Sequence, residues 1–385
     1  MNNITETLRS KLPDIGTTIF TIMSRMAVEN NAINLSQGFP DFNCNEELID
    51  LVEYYLRKGF NQYAPMQGIP LLRQKISEKI YKLYGHKYDP ETEINITAGA
   101  TQAIYTVASA VINPGDEVIL FEPAYDSYSP SVKINGGIPV YIALSKHDFS
   151  IDWDAVRKAI TSRTKMIFLN SPHNPTGSVI NETDIINLEE ILRNRNIFIL
   201  SDEVYEHIVF DDKNHISVSG SRELSKKAFV ISSFGKTYHT TGWKLGYCAA
   251  PAALMKEFRK VHQFIVFAVN TPIQHAYAEY MDNESHYLKL NYFYEQKRNL
   301  FLKHMNNSRW KVKPAAGTYF QLLDYSGITD LNDMEFAEKL TKEAGVATIP
   351  LSPFYNDTRS EKFLRVCFAK RDEVLVEAAN ILNKI

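Results

Sequence analysis

The sequence predicts an α/β fold, in which helices cover both faces of a mainly parallel β-sheet, together with a smaller α+β domain. Near-continuous apolar runs alternate with stretches of helical spacing through the middle of the 385-residue chain. After about residue 285 a long, charge-rich amphipathic stretch precedes short strand-like segments. No Gly/Ser-rich linker or internal repeat separates the two parts, so we expect interleaved domains.

Apolar runs that end in polar or small residues are expected to form the buried strands of the large sheet. These runs are residues 117–121, 165–169, 197–200, 228–231 and 245–250. Between them, residues 184–193 have the spacing of a helix. In the last part of the chain we expect a helix over 285–306 and strands over 317–322 and 363–368.

Composition excludes several classes of partner. The formal net charge is -3, which gives no basic surface for nucleic acid or an anionic membrane. No apolar run approaches the roughly 20 residues of a membrane helix, and the N-terminus lacks the apolar core of a secretory signal. The three cysteines, Cys44, Cys248 and Cys367, are widely spaced. We therefore expect a cytoplasmic protein without disulfides, without a metal site and without nucleic-acid or membrane partners.

Three successive predicted strands lead into segments rich in polar residues, at 170–177, 201–205 and 232–236. In open parallel sheets, ligands bind beyond the carboxyl ends of the strands. We therefore expect Asn174, Asp202, Tyr205 and Lys236 to meet at one edge of the sheet.

The chemistry of these side chains suggests a site for an aromatic aldehyde. Lys236 follows a buried strand, where burial and cationic neighbours would lower the pKa of its amine and make it a nucleophile. Asp202 can keep a pyridine nitrogen protonated, although a helix N-cap is the alternative role for an aspartate in this context. Tyr205, three residues further on, would face the same side in a helix or turn and could reach a phenolic oxygen.

Further segments supply the remaining parts of such a site. Residues 95–104 predict a strand, a turn of small residues and a helix, whose N–H groups would hold a phosphate with help from Ser233 and Lys244. A tight turn that binds nothing is the alternative. Tyr125 could stack on a flat ring. Arg365 lies in an apolar strand, so it must pair with a carboxylate of the protein or of a ligand. Together these groups are what a pyridoxal-phosphate (PLP) site requires.

Several longer stretches carry a resemblance to a known family. They are NLSQGFPDF (34–42), NQY (61–63), SPHNPTG (171–177), SDEVY (201–205), SFGKT (233–237), TGWKLG (241–246) and RVCFAK (365–370). With them the sequence resembles the class-I/II aminotransferases, PLP enzymes of fold type I, over nearly its whole length. Within that family it is most similar to the methionine aminotransferases and to the kynurenine aminotransferase/glutamine transaminase group.

The resemblance implies a fold-type-I PLP-dependent transferase. Its large domain, residues 45–284, would contain a mainly parallel seven-stranded sheet covered by helices. Residues 285–385 would form the smaller α+β domain. Residues 1–44 would belong to the small domain and to the contacts of a homodimer.

The resemblance also assigns roles to residues. Lys236 would bind PLP as a Schiff base and act as general base, with Asp202 on the ring nitrogen and Tyr205 and Asn174 on the phenolic oxygen. Tyr125 would stack on the ring. The phosphate would be held by Ala100, Thr101, Gln102, Ser233, Lys244 and, from the neighbouring subunit, Tyr63. Many relatives have arginine at the position of Lys244, and lysine keeps its charge. The substrate carboxylate would be received by Gly38, Asn174 and Arg365. An apolar pocket for the substrate side chain would involve Phe39, Tyr63, Tyr125 and Phe354.

The expected activity is the transfer of the amino group of an L-amino acid to a 2-oxo acid through PLP and its pyridoxamine form. Methionine, aromatic amino acids, glutamine and kynurenine are the expected donors. A β-lyase acting on cysteine conjugates with the same cofactor is an alternative. A non-catalytic sensing protein that keeps the fold is a more remote one.

Overall fold

The structure, a computed structural model, describes residues 9–306, 308–357, 359 and 361–385. Its strands form one large sheet, a three-stranded sheet and a two-stranded sheet. They are β1 (Ile33–Asn34), β2 (Ile94–Thr97), β3 (Glu117–Glu122), β4 (Ile138–Ala143), β5 (Thr164–Asn170), β6 (Phe198–Asp202), β7 (Ala228–Ser233), β8 (Gly246–Ala249), β9 (Phe320–Asp324), β10 (Val346–Ala347), β11 (Ile349–Pro350) and β12 (Phe363–Cys367).

The helices precede, separate and follow these strands along the chain. They are α1 (Ile19–Glu29), α2 (Glu46–Arg57), α3 (Pro70–Tyr84), α4 (Ala100–Val111), α5 (Tyr128–Ile134), α6 (Trp153–Ala159), α7 (Glu182–Leu192), α8 (Phe234–Thr237), α9 (Ala252–Ile265), α10 (Thr271–Tyr280), α11 (Ser285–Leu288), α12 (Leu290–Met305), α13 (Asp333–Lys339) and α14 (Asp372–Leu382). None of the described helices is both long and apolar enough to cross a membrane.

The large sheet has seven strands in the order β2-β8-β7-β6-β5-β3-β4. Strand β8 runs antiparallel to both of its neighbours, and the other pairings are parallel. The predicted α/β class with a mainly parallel seven-stranded sheet is therefore confirmed. The apolar runs did not predict the edge strand β4, whose residues are largely half-exposed.

Alternate residues of the central strands enter two separate cores, as the two-residue period of a strand requires. On one face, Leu120, Phe168 and Leu200 pack with residues of α4 and α9. On the other face, Ile119, Ile167 and Ile199 pack with residues of α6 and α7. Because both faces are buried, these strands are apolar throughout, which is the pattern seen in the sequence.

The N-terminal segment packs against the C-terminal part of the chain. Strand β1 pairs in parallel with β10. The backbone N–H of Cys367 in β12 donates to the carbonyl of Leu35, at 2.8 Å. Ile19 and Met23 of α1 share one core with β9, β12 and α14. The first eight residues of the predicted segment 1–44 lie outside the described residues.

The predicted C-terminal elements differ in their bounds. Residues 285–306 form two helices, α11 and α12. Strand β9 begins at Phe320, three residues later than expected, because Thr318 has a positive φ of 65° and the chain turns there. This turn places Tyr319 against the carboxyl edge of the large sheet instead of within the small one.

Candidate active site

A cavity of about 290 Å³ lies beyond the carboxyl ends of β5, β6 and β7. Most of the residues predicted for the site line it. These are Gly38, Ala100, Thr101, Tyr125, Asn174, Asp202, Tyr205, Ser233, Lys236, Lys244 and Arg365. The cavity therefore brings together three strand ends, the start of α4, the N-terminal segment and β12.

Lys236 lies on the short helix α8, directly after β7. Its Nζ donates to the carbonyl of Gly38 at 3.0 Å and to the hydroxyl of Tyr319 at 2.8 Å. Burial lowers the pKa of this amine to about 8, and the positive charges of Lys244 and Arg365 act in the same direction. A fraction of the amine is therefore unprotonated near neutral pH, as a nucleophile or base requires.

Asp202 is the last residue of β6, and burial raises the pKa of its carboxyl to about 6. Its Oδ2 accepts a 2.6 Å hydrogen bond from the hydroxyl of Tyr128, and its Oδ1 accepts one of 3.3 Å from the N–H of Val204. No cation contacts it among the described residues. The chain continues as a turn, so Asp202 caps no helix. A buried carboxylate that lacks a cation is suited to a protonated ring nitrogen.

Three side chains surround the space between Asp202 and Arg365. Tyr205 is almost fully buried, and Tyr125 stands at 79° to Tyr128 with ring centroids 5.6 Å apart. Burial raises the pKa of Tyr125 to about 12 and that of Tyr205 further above its ordinary value, so both hydroxyls stay neutral donors. The Oδ1 of Asn174 accepts a 2.7 Å hydrogen bond from Nη1 of Arg365.

The N-terminus of α4 provides an anion site. Its N-cap, Gly99, has a φ of 79° and makes no side-chain capping bond. Among the described residues, therefore, no capping side chain accepts from the first N–H groups of the helix. A Cβ at Gly99 would lie 3.5 Å from Nζ of Lys244, which shows how closely that ammonium approaches the turn. Among the described residues Lys244 has no acidic partner. These features fit a phosphate.

The side chain of Gln102, which was predicted to help hold the phosphate, is turned away from the cavity. Its Oε1 accepts from the N–H of Ala98 at 3.0 Å, and its Nε2 donates to Thr106 at 2.5 Å. The amide is thereby held within the first turns of α4 and does not line the cavity.

Arg365 is fully buried, and no carboxylate of the described residues lies within ion-pair distance of it; Asp126 acts on it only from further away. Its guanidinium stacks on Phe320 at 3.9 Å and donates to Asn174 and, at 3.2 Å, to the carbonyl of Ser36. Its Nε has no hydrogen-bond partner among the described residues. Of the two roles that the sequence left open, the contacts favour a carboxylate from a ligand, because a fully buried guanidinium is costly without one.

The cavity thus contains three charged groups, Asp202, Lys244 and Arg365, that have no ion-pair partner among the described residues, together with the Lys236 amine. A phosphate would pair with Lys244, a protonatable ring nitrogen with Asp202 and an aldehyde with Lys236, and a substrate carboxylate would pair with Arg365. The residues present therefore fit PLP and an amino acid.

Other predicted residues lie outside the cavity lining. Phe39 is 44% exposed, and its carbonyl accepts from Lys370 at 2.9 Å. Tyr63 is 81% exposed, with its ring against Phe267. Phe354 is buried beside the guanidinium of Arg365, 5.4 Å from the ring centroid.

The structure also adds residues that the sequence did not indicate. Phe20, Gln37, Tyr128 and Asn170 line the cavity, and Tyr319 touches Lys236. Tyr128 lies in the same stretch after β3 as Tyr125, so the end of that strand was a usable signal. Nothing in the sequence of α1 distinguishes Phe20 from the other apolar residues of an amphipathic helix.

Comparison with known proteins agrees with this geometry. Residues 30–382 match the family "Aminotransferase class I and II". The methionine aminotransferase of Escherichia coli K12 is 47% identical over 378 residues, which are 98% of each chain. The kynurenine–oxoglutarate transaminase of Dictyostelium discoideum is 31% identical over 96% of this chain and 94% of that one.

Solved structures are similar over the same length. The crystal structure of an E. coli protein with a methionine aminotransferase function has a TM-score of 0.96 and 47% identity, covering 98% of this chain and 99% of that one. N-succinyldiaminopimelate aminotransferase of Mycobacterium tuberculosis has a TM-score of 0.95 and 35% identity, covering 98% and 100%. The resemblance and the expected cofactor are confirmed. This chain belongs to the class I and II aminotransferases and is a PLP-dependent enzyme.

Proposed function

We propose that this aminotransferase takes the amino group of L-methionine and of aromatic L-amino acids, with glutamine and kynurenine as further donors, and transfers it to a 2-oxo acid. The observation that carries the proposal is Arg365, a buried cation with no carboxylate in ion-pair contact among the described residues, which lines the same cavity as Lys236 and Asp202. An amino acid supplies the missing carboxylate while its amino group points towards Lys236. The named activities of the relatives support the choice of donors.

The bound PLP ring supplies an electron sink for the charge that develops when the substrate Cα loses its proton. Asp202 would keep the ring nitrogen protonated, since no cation of the described residues contacts its carboxylate. Asn174 and Tyr205 donate to the phenolic oxygen, and Tyr125 packs on the ring. The start of α4, with Ser233 and Lys244, binds the phosphate.

Lys236 is the residue that binds the cofactor covalently and, when released, moves the proton. Its Nζ would act as the general base that takes the proton from the substrate Cα and would hold that proton for its return. The lowered pKa suits both tasks, because the amine must lose a proton easily and still accept one. Arg365, Asn174 and Gly38 hold the substrate carboxylate, so that the Cα–H bond faces Nζ.

The composition of the cavity favours apolar over acidic side chains. The cations that line it are Lys236, Lys244 and Arg365, and each has a task already. None remains for the second carboxylate of aspartate, whereas Phe20 offers an apolar surface for methionine or an aromatic ring. Phe354 and Phe39 do not line the cavity, and in this proposal they would extend its apolar surface towards the substrate side chain.

We further propose a homodimer in which Tyr63 of the partner subunit completes the phosphate site. Support comes from the exposure of Tyr63 at 81% and of Phe267, whose ring contacts it, at 51%. Phe264, three residues before Phe267, is 86% exposed. Exposed aromatic side chains of this kind are typical of an interface. The domain division at residues 44 and 284 and a cytoplasmic location belong to the same proposal. Free cysteines at all three positions support the location.

A panel of amino donors with one 2-oxo acid tests the proposed specificity. We expect kcat/KM for methionine and phenylalanine to exceed that for aspartate by at least about tenfold, which corresponds to about 1.4 kcal/mol. Lys236→Ala should lose nearly all turnover and the absorbance of covalently bound PLP. A preference for aspartate would contradict the proposed donors. Pyruvate and ammonia formed from a cysteine conjugate without an acceptor would reveal β-lyase activity.

A further inference from the structure

The hydroxyl of Tyr319 lies between two parts of the cavity that differ in origin. It accepts a hydrogen bond from Nζ of Lys236 at 2.8 Å and donates one to the carbonyl of Gly38 at 2.6 Å. The same carbonyl accepts from Nζ at 3.0 Å. The three groups form a closed triangle between α8 and the N-terminal segment.

The position of Tyr319 is fixed by its surroundings. The side chain is fully buried, and its ring lies at 86° to that of Tyr205 with centroids 5.1 Å apart. The preceding residue, Thr318, has a positive φ, and its N–H donates to the carbonyl of Ile208 at 2.9 Å. A threonine at positive φ costs energy, so the turn that aims Tyr319 at Lys236 is held by the surrounding structure.

A second tyrosine in the same aromatic cluster shows what the hydroxyl of Tyr319 adds. Tyr294 is also fully buried, and its ring centroid lies 5.5 Å from that of Tyr319. Its hydroxyl, however, has no hydrogen-bond partner among the described residues. The two side chains therefore share burial and packing but differ in contact with Lys236.

We propose that Tyr319 is a positioning residue for the transfer: its hydroxyl holds the free amine of Lys236 against the carbonyl of Gly38. This inference rests on the proposed role of Lys236. Whenever its nitrogen is not bonded to the cofactor, Lys236 has a flexible four-carbon chain that must be aimed at the substrate Cα. The triangle limits that freedom and keeps Gly38, which receives the substrate carboxylate in the proposal, at a fixed distance from the base.

The charge of the amine depends on every group that faces it. These groups are Asp202 on β6, Tyr205 after β6, Lys244 before β8, Tyr319 before β9, and Arg365 and Cys367 on β12. The acceptor oxygen of Tyr319 favours the ammonium form, because hydrogen bonds to a charged group stabilise it. Removing that oxygen leaves a buried ammonium with one acceptor fewer, so the amine should lose its proton at lower pH.

The test compares Tyr319→Phe with Tyr294→Phe in the full-length protein. After removal of PLP, the rate of covalent PLP uptake is measured by absorbance as a function of pH. The rate rises as Lys236 loses its proton, so the midpoint reports the state of the amine. We expect the midpoint of Tyr319→Phe to fall by about one pH unit and that of Tyr294→Phe to stay within error.

The reloaded enzymes give a second readout. In Tyr319→Phe we expect kcat to fall roughly 10- to 100-fold, KM for methionine to change little, and the isotope effect of Cα-deuterated methionine to increase. Equal changes in both variants, or an unshifted midpoint in Tyr319→Phe, would overturn the assignment. Uptake that persists in Lys236→Ala would instead refute the proposed role of Lys236 itself.

Discussion

Two carboxylates four residues apart, Asp202 and Glu206, are both buried but lie in opposite environments. Glu206 accepts from Nζ of Lys79 at 2.6 Å and from the hydroxyls of Ser232 and Tyr84 at 2.6 and 2.7 Å. Asp202 has hydrogen bonds but no cation in contact among the described residues. We call the Glu206 cluster complete, because Lys79 balances its charge, and the Asp202 cluster incomplete, because no described cation in contact balances the charge of Asp202.

The pKa values of the two carboxyl groups differ because their hydrogen-bond and ion-pair partners differ. Burial by itself would raise the pKa of Glu206, but Lys79, His207 and Ser232 together hold it well below its usual range. Burial raises the pKa of Asp202 to about 6, and Tyr128 offsets only part of that effect. A complete polar cluster contributes to stability, whereas an incomplete one costs stability and is suited to a ligand that completes it.

The largest expected effect comes from breaking the complete cluster. Lys79→Met leaves the carboxylate of Glu206 buried without its cation, so we expect the free energy of unfolding to fall by about 3–5 kcal/mol in urea titrations. Lys82→Met, one turn further along α3, is the matched control. It removes an ion pair with Glu284 in which the lysine side chain is 57% exposed, worth at most about 1 kcal/mol. Similar losses in both variants would contradict the distinction.

Substitutions in the incomplete cluster should lower the activity of the enzyme more than its stability. Asp202→Asn keeps the size and can keep the Tyr128 contact, but it cannot hold a proton on the cofactor ring. We expect kcat/KM to fall roughly 10²- to 10³-fold, about 3–4 kcal/mol, with little loss of stability. Glu206→Gln should show the reverse, with a large loss of stability and a small change in kcat of the folded enzyme. Steady-state kinetics and urea unfolding of both variants measure the contrast.

The same contrast exists between two buried arginines. Arg298 forms an ion pair with Asp211 at 2.6 Å, whereas no carboxylate of the described residues lies within ion-pair distance of Arg365. Arg365→Lys keeps a charge but loses the fork that grips a carboxylate, so KM for the amino acid should rise roughly 10- to 100-fold. Arg298→Lys should leave KM unchanged. An unchanged KM in Arg365→Lys would remove the proposed carboxylate site.

The smallest effect concerns pH. In the PLP-free protein, folded Asp202 binds a proton up to about pH 6, whereas the unfolded group releases it near its ordinary value of 3.8. Between these values the folded state carries more protons, so its contribution to the unfolding free energy falls as pH rises. The slope is at most about 1.4 kcal/mol per pH unit. The unfolding free energies of the wild type and of Asp202→Asn are measured as a function of pH. Their difference removes the contribution of the other carboxyls, and a difference that does not change with pH would contradict the prediction.

The sequence predicted the sheet well because its central strands are buried on both faces and therefore apolar throughout. Strand ends then located Asn174, Asp202, Tyr205 and Lys236 without any knowledge of side-chain contacts. The antiparallel direction of β8 had no such signal, since a buried strand reads alike in both directions. The edge strand β4 was missed because it is only partly buried.

Contacts between residues far apart in the chain could not be predicted from the sequence. Tyr319 looked like a residue of an apolar strand, and only the turn at Thr318 aims it at Lys236. Phe20 reaches the cavity because α1 packs beside β12. The ion-pair partners of the two carboxylates could not be predicted either. Asp202 ends β6 and Glu206 follows it, and the difference between them depends on Lys79, more than 120 residues earlier.

The pairing of the N-terminal segment with β10 and β12 has a consequence for folding. The backbone of Leu35 bonds to that of Ala347 and of Cys367, more than 300 residues further along the chain. Gly38 therefore reaches its place in the cavity only after β10 and β12 have been synthesised and have docked on the N-terminal segment. The large sheet consists of β2 to β8 and can form before that docking, so the cavity is completed late in folding. Cofactor capture should therefore follow the docking of the N-terminal segment.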